Sequence, residues 1–179
     1  PDAWLHSIET ACESLHASGQ GVAAMLVDTI FSSEGLPELS PEFLAKAVAI
    51  VRRAGGIYIA DAVQPGFGRT GESMWGYQRY GVVPDVVTLG KPMANGHPVS
   101  GVVAREELAT EFAGKVMYFN TFGGNPVSCA AASAVLDVLE KEQLQENARV
   151  VGEYALAGLE RLKGKHDLIG DVRGRGLFF

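Results

Sequence analysis

The sequence predicts an α/β fold, a mostly parallel sheet covered by helices on both faces. Two observations carry this. The strand candidates are continuous Val/Ile/Leu runs, as in strands buried on both sides, rather than alternating ones. They also alternate along the chain with amphipathic helices, the order that builds parallel layers. A third observation says where a site would form: three strand candidates lead to charged residues, Asp28, Asp61 and Lys91. In such sheets ligands gather outside the carboxyl ends of the strands.

The elements follow in order. Residues 3–16 place Leu5, Ile8, Ala11 and Leu15 at helical spacing. "GVAAMLVD" reads as a buried strand ending at Asp28, and "TIFSSEGLPEL" as loop. Ser40-Pro41-Glu42 is a helix start, with a capping hydroxyl, a proline in the first turn and an early acid. That helix runs to about Arg53, with Phe43, Leu44, Ala47, Ile50 and Val51 on one face. "GGIYIAD" is the next strand, followed by a long Gly-rich loop, the strand "DVVTLG", Lys91, a turn and the strand "PVSGVVA". "REELATEF" is a short helix. Asn125 can cap a helix from Pro126 to about Glu140, a further helix covers roughly Gln143 to Leu162, and "HDLIGDVRGRGLFF" is expected to return as a strand.

Composition narrows the function classes. Of 179 residues 47% are hydrophobic and 20% charged, a globular balance. The net charge is −6 without a long basic run, which argues against a nucleic-acid partner. No apolar run reaches the roughly eighteen residues of a membrane span, and no charged-then-apolar leader argues for export, so a cytoplasmic location is expected. Cys12 and Cys129 form no framework, and Cys129 in "SCAAASAVL" is expected to be a small buried thiol. The four histidines show no ligand spacing, so no metal is expected. The start at Pro1 and the stop within the apolar "RGLFF" suggest a piece of a longer protein.

"GFGRTG" matches the dinucleotide pattern G-x-G-x-x-G, and Asp85 follows at a distance suited to a ribose contact. That site needs its glycines to open a helix directly off a strand. Here residues 61–65 intervene and the irregular, aromatic "ESMWGYQRYG" follows, so a glycine loop shaping a pocket is the better reading.

Asp61 and Lys91 together suggest a specific chemistry. A lysine that forms a Schiff base must be neutral, so its pKa has to fall well below about 10.4. Pyridoxal phosphate also needs a carboxylate beside its ring nitrogen, and hydroxyls and amides around its phosphate. Asp61 meets the first need; Thr121, with Gly123 and Gly124 in "NTFGGNP", meets part of the second. Singly, a strand-end Asp or Lys is commonly just solvated, and a TFGGNP loop is commonly just a helix cap. The joint pattern, in this order, carries the functional reading.

"IADAVQPGFGRTG", "PDVVTLGKPMANGHPVSGVVA" and "YFNTFGGNPVSCAAA" resemble successive signatures of the class III aminotransferases, pyridoxal-phosphate enzymes of fold type I. The resemblance implies the following roles. Lys91 is the Schiff-base lysine and the group that moves the substrate proton. Asp61 pairs with the pyridine nitrogen, Val63 packs on one ring face, and Gln64 sits near the ring hydroxyl. Thr121 binds the cofactor phosphate of a neighbouring subunit, because these enzymes build their sites across a homodimer interface. Gly66, Gly68 and Gly71 shape the loop beside the cofactor, while Trp75 and Arg69 are structural. Residues 1–147 would belong to the large, cofactor-binding domain, and 148–179 would begin a C-terminal α+β domain. The family's upstream phosphate loop and ring-stacking aromatic have no counterpart here, so this chain by itself is expected to hold the cofactor poorly. Two departures stand out: Ala62 follows Asp61 where the family has Glu, and Asp28-Thr29 replaces a Glu-Pro pair. They leave the groups that bond ring nitrogen and aldehyde in place and put the supporting contacts in question.

Within the family, "GKPMANGHPV", "LEKEQLQENA" and "KHDLIGDVRGRGLF" are similar to the phospho-lyases of ethanolamine phosphate and phosphohydroxylysine, with alanine–glyoxylate-type aminotransferases close by. The substrate class implied is a small amine or amino-alkyl phosphate. Elimination of phosphate is the favoured outcome and transamination to a keto acid the alternative. Arg69, Arg173 and Arg175 are candidates for a leaving phosphate by charge alone, and surface solvation is the favoured role for each. A non-catalytic relative and a nucleotide-binding module remain the readings from other classes.

Overall fold

The computed structural model describes residues 2–179. In order these form α1 (Asp2–Ala17), β1 (Ala24–Asp28), α2 (Pro41–Arg53), β2 (Ile57–Asp61), β3 (Val86–Leu89), β4 (Gly101–Ala104), α3 (Glu106–Lys115), α4 (Pro126–Lys141) and α5 (Leu144–Lys163). Short 3-10 helices cover Gly76–Tyr80 and Lys91–Ala94. The sheet runs β1-β2-β3-β4; the first three strands are parallel and β4 is antiparallel to β3. The mostly parallel α/β class expected from the apolar strand runs is therefore observed.

Register explains which residues face which layer. Met25, Val27, Tyr58, Ala60 and Val87 share one face, and there they pack with Leu44 and Val48 of α2. Proline and an acid open α2 while Arg52 and Arg53 close it, an arrangement that suits the helix dipole. Ser40 holds the cap position, but its hydroxyl makes no bond to the helix amides. Outside α2 lies α1, through Cys12, Leu5 and Ile8 against Ile50 and Val51, with Trp4 edge-on to Phe43. On the other face α3 lies along the β3–β4 edge. Leu108, Ala109 and Phe112 there meet Val86, Val102 and Ala104 around a cavity of about 650 Å³. On the same face Leu26, at β1, is 63% exposed.

Asp85 ties these layers together and is not a ribose ligand. Only 4% exposed, its carboxylate accepts from the Tyr58 amide (2.9 Å), Arg52 (3.0 Å) and Arg105 (2.8 Å). Burial pushes its pKa up, but the Tyr58 amide and the Arg105 and Arg52 guanidinium groups together hold it below the usual carboxylate value. Because the folded pKa is depressed, this stabilisation is present above the unfolded value and is lost as pH falls through the folded one. Asp85→Ala leaves the buried Tyr58 amide without an acceptor and removes the charge that Arg52 and Arg105 share, although these keep the Val83 carbonyl and Glu107. It is expected to destabilise the full-length protein by about 3 kcal/mol at neutral pH, and by less in acid, as measured by denaturant unfolding.

Two expectations are corrected. The C-terminal residues do not form a strand. Arg175 and Phe178 bridge to each other, and the Leu177 amide bonds the Arg69 carbonyl at 3.1 Å. The segment thus turns on itself at Gly176 (φ +56°), where a Cβ would lie 2.4 Å from the Thr70 carbonyl carbon, and it docks on the glycine loop. Cys129 is exposed rather than buried. Its neighbour Ser128 is the residue α4 turns inward, and the next residue points about 100° away around the helix. Helix α5 passes unbroken through position 147.

Candidate active site

The carboxyl edge of the sheet gathers most of the expected residues. Asp28 and Asp61 are paired in register across β1 and β2, and Thr88 on β3 is level with Asp61. β2 ends because Asp61 takes over its own backbone: Oδ1 accepts the Val63 amide at 2.9 Å, the turn typical of Asp at strand ends. The same oxygen accepts the Thr88 hydroxyl at 3.3 Å. Among the described residues no donor engages Oδ2, so one carboxylate oxygen of a half-buried Asp is left for a ligand. Thr88 was missed by the sequence reading. Its signal was a lone hydroxyl inside an apolar strand run, but the register with Asp61 belongs to the sheet.

Lys91 follows β3 at the start of the 3-10 turn Lys91–Ala94, with φ +28°. A lysine at positive φ is strained, and such strain persists where surrounding structure imposes it, often at functional sites. Its side chain is exposed and joins no hydrogen bond or ion pair among the described residues, so the protein's own side chains do not shield it. Val63 stands beside the residue before it: a Cβ built on Gly90 would lie 3.7 Å from both Val63 methyl groups. Gln64 is half-buried and donates from Nε2 to Ser32 Oγ at 2.5 Å. Ser32 in turn donates to Asp28 Oδ2. Asp61, Val63, Gln64 and Lys91 are therefore placed on one edge, with Asp28 and Ser32 behind Gln64.

Thr121 stands apart from this group. It lies in the exposed loop before α4, and no hydrogen bond among the described residues joins that loop to Asp61, Gln64 or Lys91. Asn120 shapes the loop by accepting the Phe122 (3.1 Å) and Gly123 (2.9 Å) amides, a role the sequence reading did not assign. Asn125 caps α4 as expected, accepting the Ser128 amide at 3.0 Å. His97, in the turn after Lys91, meets Ser128 Oγ at 2.9 Å and ties that turn to the helix.

The glycine loop opens no helix for a nucleotide. Gly66 bridges to Trp75, whose ring meets Phe67 edge-on at 5.1 Å. At Gly71 (φ +77°) a Cβ would lie 2.6 Å from the Arg149 Cα, so this glycine permits close approach of α5. Arg173 is paired with Asp171 (2.6 Å), and Arg175 with Glu72 and Glu38. Arg69 makes no acid pair among the described residues and lines a cavity of about 450 Å³ with Pro92 and Asn95. Among the described residues no cluster of three or more His, Cys, Asp or Glu has metal-binding geometry, and no helix is long and apolar enough to cross a membrane.

Comparison with known proteins gives this edge a context. The family model "Aminotransferase class-III" matches residues 2–179. Alanine–glyoxylate aminotransferase 2-like from Drosophila melanogaster is 47% identical over 184 residues, 99% of this chain and 37% of that protein. A phospholyase from Arthrobacter, solved in complex with phosphoethanolamine, superimposes with a TM-score of 0.93 at 48% identity; the match covers 97% of this chain and 41% of that one. Ornithine aminotransferase from Toxoplasma gondii, solved with partial occupancy of PLP at its active site, gives 0.86 at 32% identity, over 97% of this chain and 39% of that one. The chain thus spans about two fifths of the length of the proteins it matches. The ring end of pyridoxal phosphate fits the groups present: Asp61 Oδ2 is free to meet a pyridinium N–H, and the Lys91 amine is free to meet an aldehyde. With that fit, and with the match running the whole described length, the chain belongs to the class-III aminotransferase family, whose cofactor is pyridoxal phosphate.

Proposed function

We propose that the full-length protein is a lyase that eliminates phosphate from an amino-alkyl phosphate such as ethanolamine phosphate. The observation that carries the reading is the likeness, along 97% of this chain, to a phospholyase solved with phosphoethanolamine. Bound pyridoxal phosphate supplies an aldehyde to hold the substrate amine and a ring to accept its electrons. Lys91 then takes the proton from the carbon bearing nitrogen, while Asp61 keeps a proton on the ring nitrogen. The carbon–oxygen bond breaks, phosphate leaves with the electron pair, and water releases ammonia and an aldehyde. Val63 packs against the ring, Gln64 faces its hydroxyl, and Thr121 serves the phosphate of a partner subunit in a homodimer. The protein acts in the cytoplasm, and its large domain gives way to the small one near residue 147.

A second reading, transamination to a keto acid, is favoured by the similarity to alanine–glyoxylate aminotransferase 2-like. There Lys91 would still carry the substrate proton, and the amino group would pass to the keto acid with no phosphate released. Full-length protein with pyridoxal phosphate and ethanolamine phosphate, without keto acid, is expected to release inorganic phosphate catalytically. No release, with amino transfer to an added keto acid, would make it a transaminase.

A further inference from the structure

Asp28 is level with Asp61 yet serves a different neighbour. Its Oδ1 accepts the Ile30 amide at 3.0 Å; its Oδ2 accepts the Ser32 amide at 2.9 Å and the Ser32 hydroxyl. A carboxylate only accepts hydrogen bonds, so the single Ser32 hydroxyl proton is committed to Asp28. Ser32 Oγ can then only accept from its other neighbour, Gln64, at 2.5 Å. The two ends of a glutamine amide are otherwise interchangeable in shape, and their orientation follows from such networks. Here the network requires that Nε2, not Oε1, face Ser32. One amide hydrogen is used there, and the other remains available together with Oε1.

We propose that Asp28 and Ser32 are positioning residues that lock the Gln64 amide so that its second N–H donates to the ring oxygen of bound pyridoxal phosphate. The inference rests on the reading that places Gln64 at that oxygen. A reversed amide would turn a lone pair toward another acceptor, which repels. The chain also accounts for one departure in the sequence. The aspartate standing in place of a longer acid reaches Gln64 through the Ser32 hydroxyl.

Equilibrium titration of the full-length apoprotein with pyridoxal phosphate, with absorbance spectra of the bound forms, tests this. Ser32→Ala removes the lock. Asp28→Ala removes the acceptor of the hydroxyl proton, which is then free to turn toward Gln64. Both variants are expected to bind pyridoxal phosphate roughly five- to tenfold more weakly and to alter the ratio of its long- and short-wavelength bands. Ser32→Thr, which keeps the hydroxyl, is expected to restore both. In a Gln64→Leu background, Ser32→Ala should add no further loss, because neighbours in one network are not additive. Wild-type affinity and spectra in Ser32→Ala and Asp28→Ala, or a full extra loss in the Gln64→Leu background, would overturn the proposal. Wild-type protein that does not bind pyridoxal phosphate would instead overturn the functional reading on which it rests.

Discussion

Lys91→Ala in the full-length protein is expected to abolish phosphate release from ethanolamine phosphate, a loss of at least about 10³-fold. In the proposed reaction this amine would meet the aldehyde of the bound cofactor and would carry the substrate proton. Stability of the cofactor-free protein should hardly change. Lys91 is exposed and bonds no described side chain, and such surface substitutions fall within about 0.5 kcal/mol. Activity and melting temperature should therefore separate cleanly. Lys91→Arg is expected to fail as well, because a guanidinium stays protonated and cannot act as a nucleophile or base near neutral pH. Retained turnover in Lys91→Ala would remove the lysine from the mechanism.

Asp61→Asn is expected to lower kcat by about 10²- to 10³-fold with little change in melting temperature. An asparagine oxygen can still accept the Val63 amide and the Thr88 hydroxyl, so the turn after β2 survives. The negative charge does not survive, and with it goes the means of holding a proton on the ring nitrogen. Thr88→Val gives the contrast. It removes only the longer, 3.3 Å bond to Asp61 and should leave kcat within a few-fold of wild type. If Asp61→Asn kept full activity, Asp61 would be a turn former and nothing more.

Much of the layout of the candidate site was legible because its signals are local. A strand-ending Asp whose side chain bonds two residues on, a lysine between an apolar strand and "PMANG", and an Asn before Pro126 each declare themselves within a few residues. The apolar strand runs likewise predicted a parallel sheet, and β1 to β3 are parallel. The helix face of α2 was readable residue by residue, since Phe43, Leu44, Ala47, Ile50 and Val51 are all buried.

What the sequence could not supply depended on partners distant along the chain. Asp85 stood at ribose-ligand spacing in a pattern the sequence argued against, but its partners Arg52 and Arg105, on either side in sequence, were not readable. "RGLFF" looked like a strand by composition; its backbone groups bond Arg69 and one another instead. Cys129 looked buried in an alanine-rich run, yet α4 turns Ser128 inward, where it meets His97, and leaves Cys129 exposed. The Asp28–Ser32–Gln64 chain joins residues 32 positions apart and has no local signature. Short-range hydrogen bonding and hydrophobic periodicity are written in neighbouring residues, so the sequence alone determined the elements, the strand-end aspartate and the lysine. Pairing of charges, helix rotation and amide orientation depend on which segments meet, and these the tertiary structure decided.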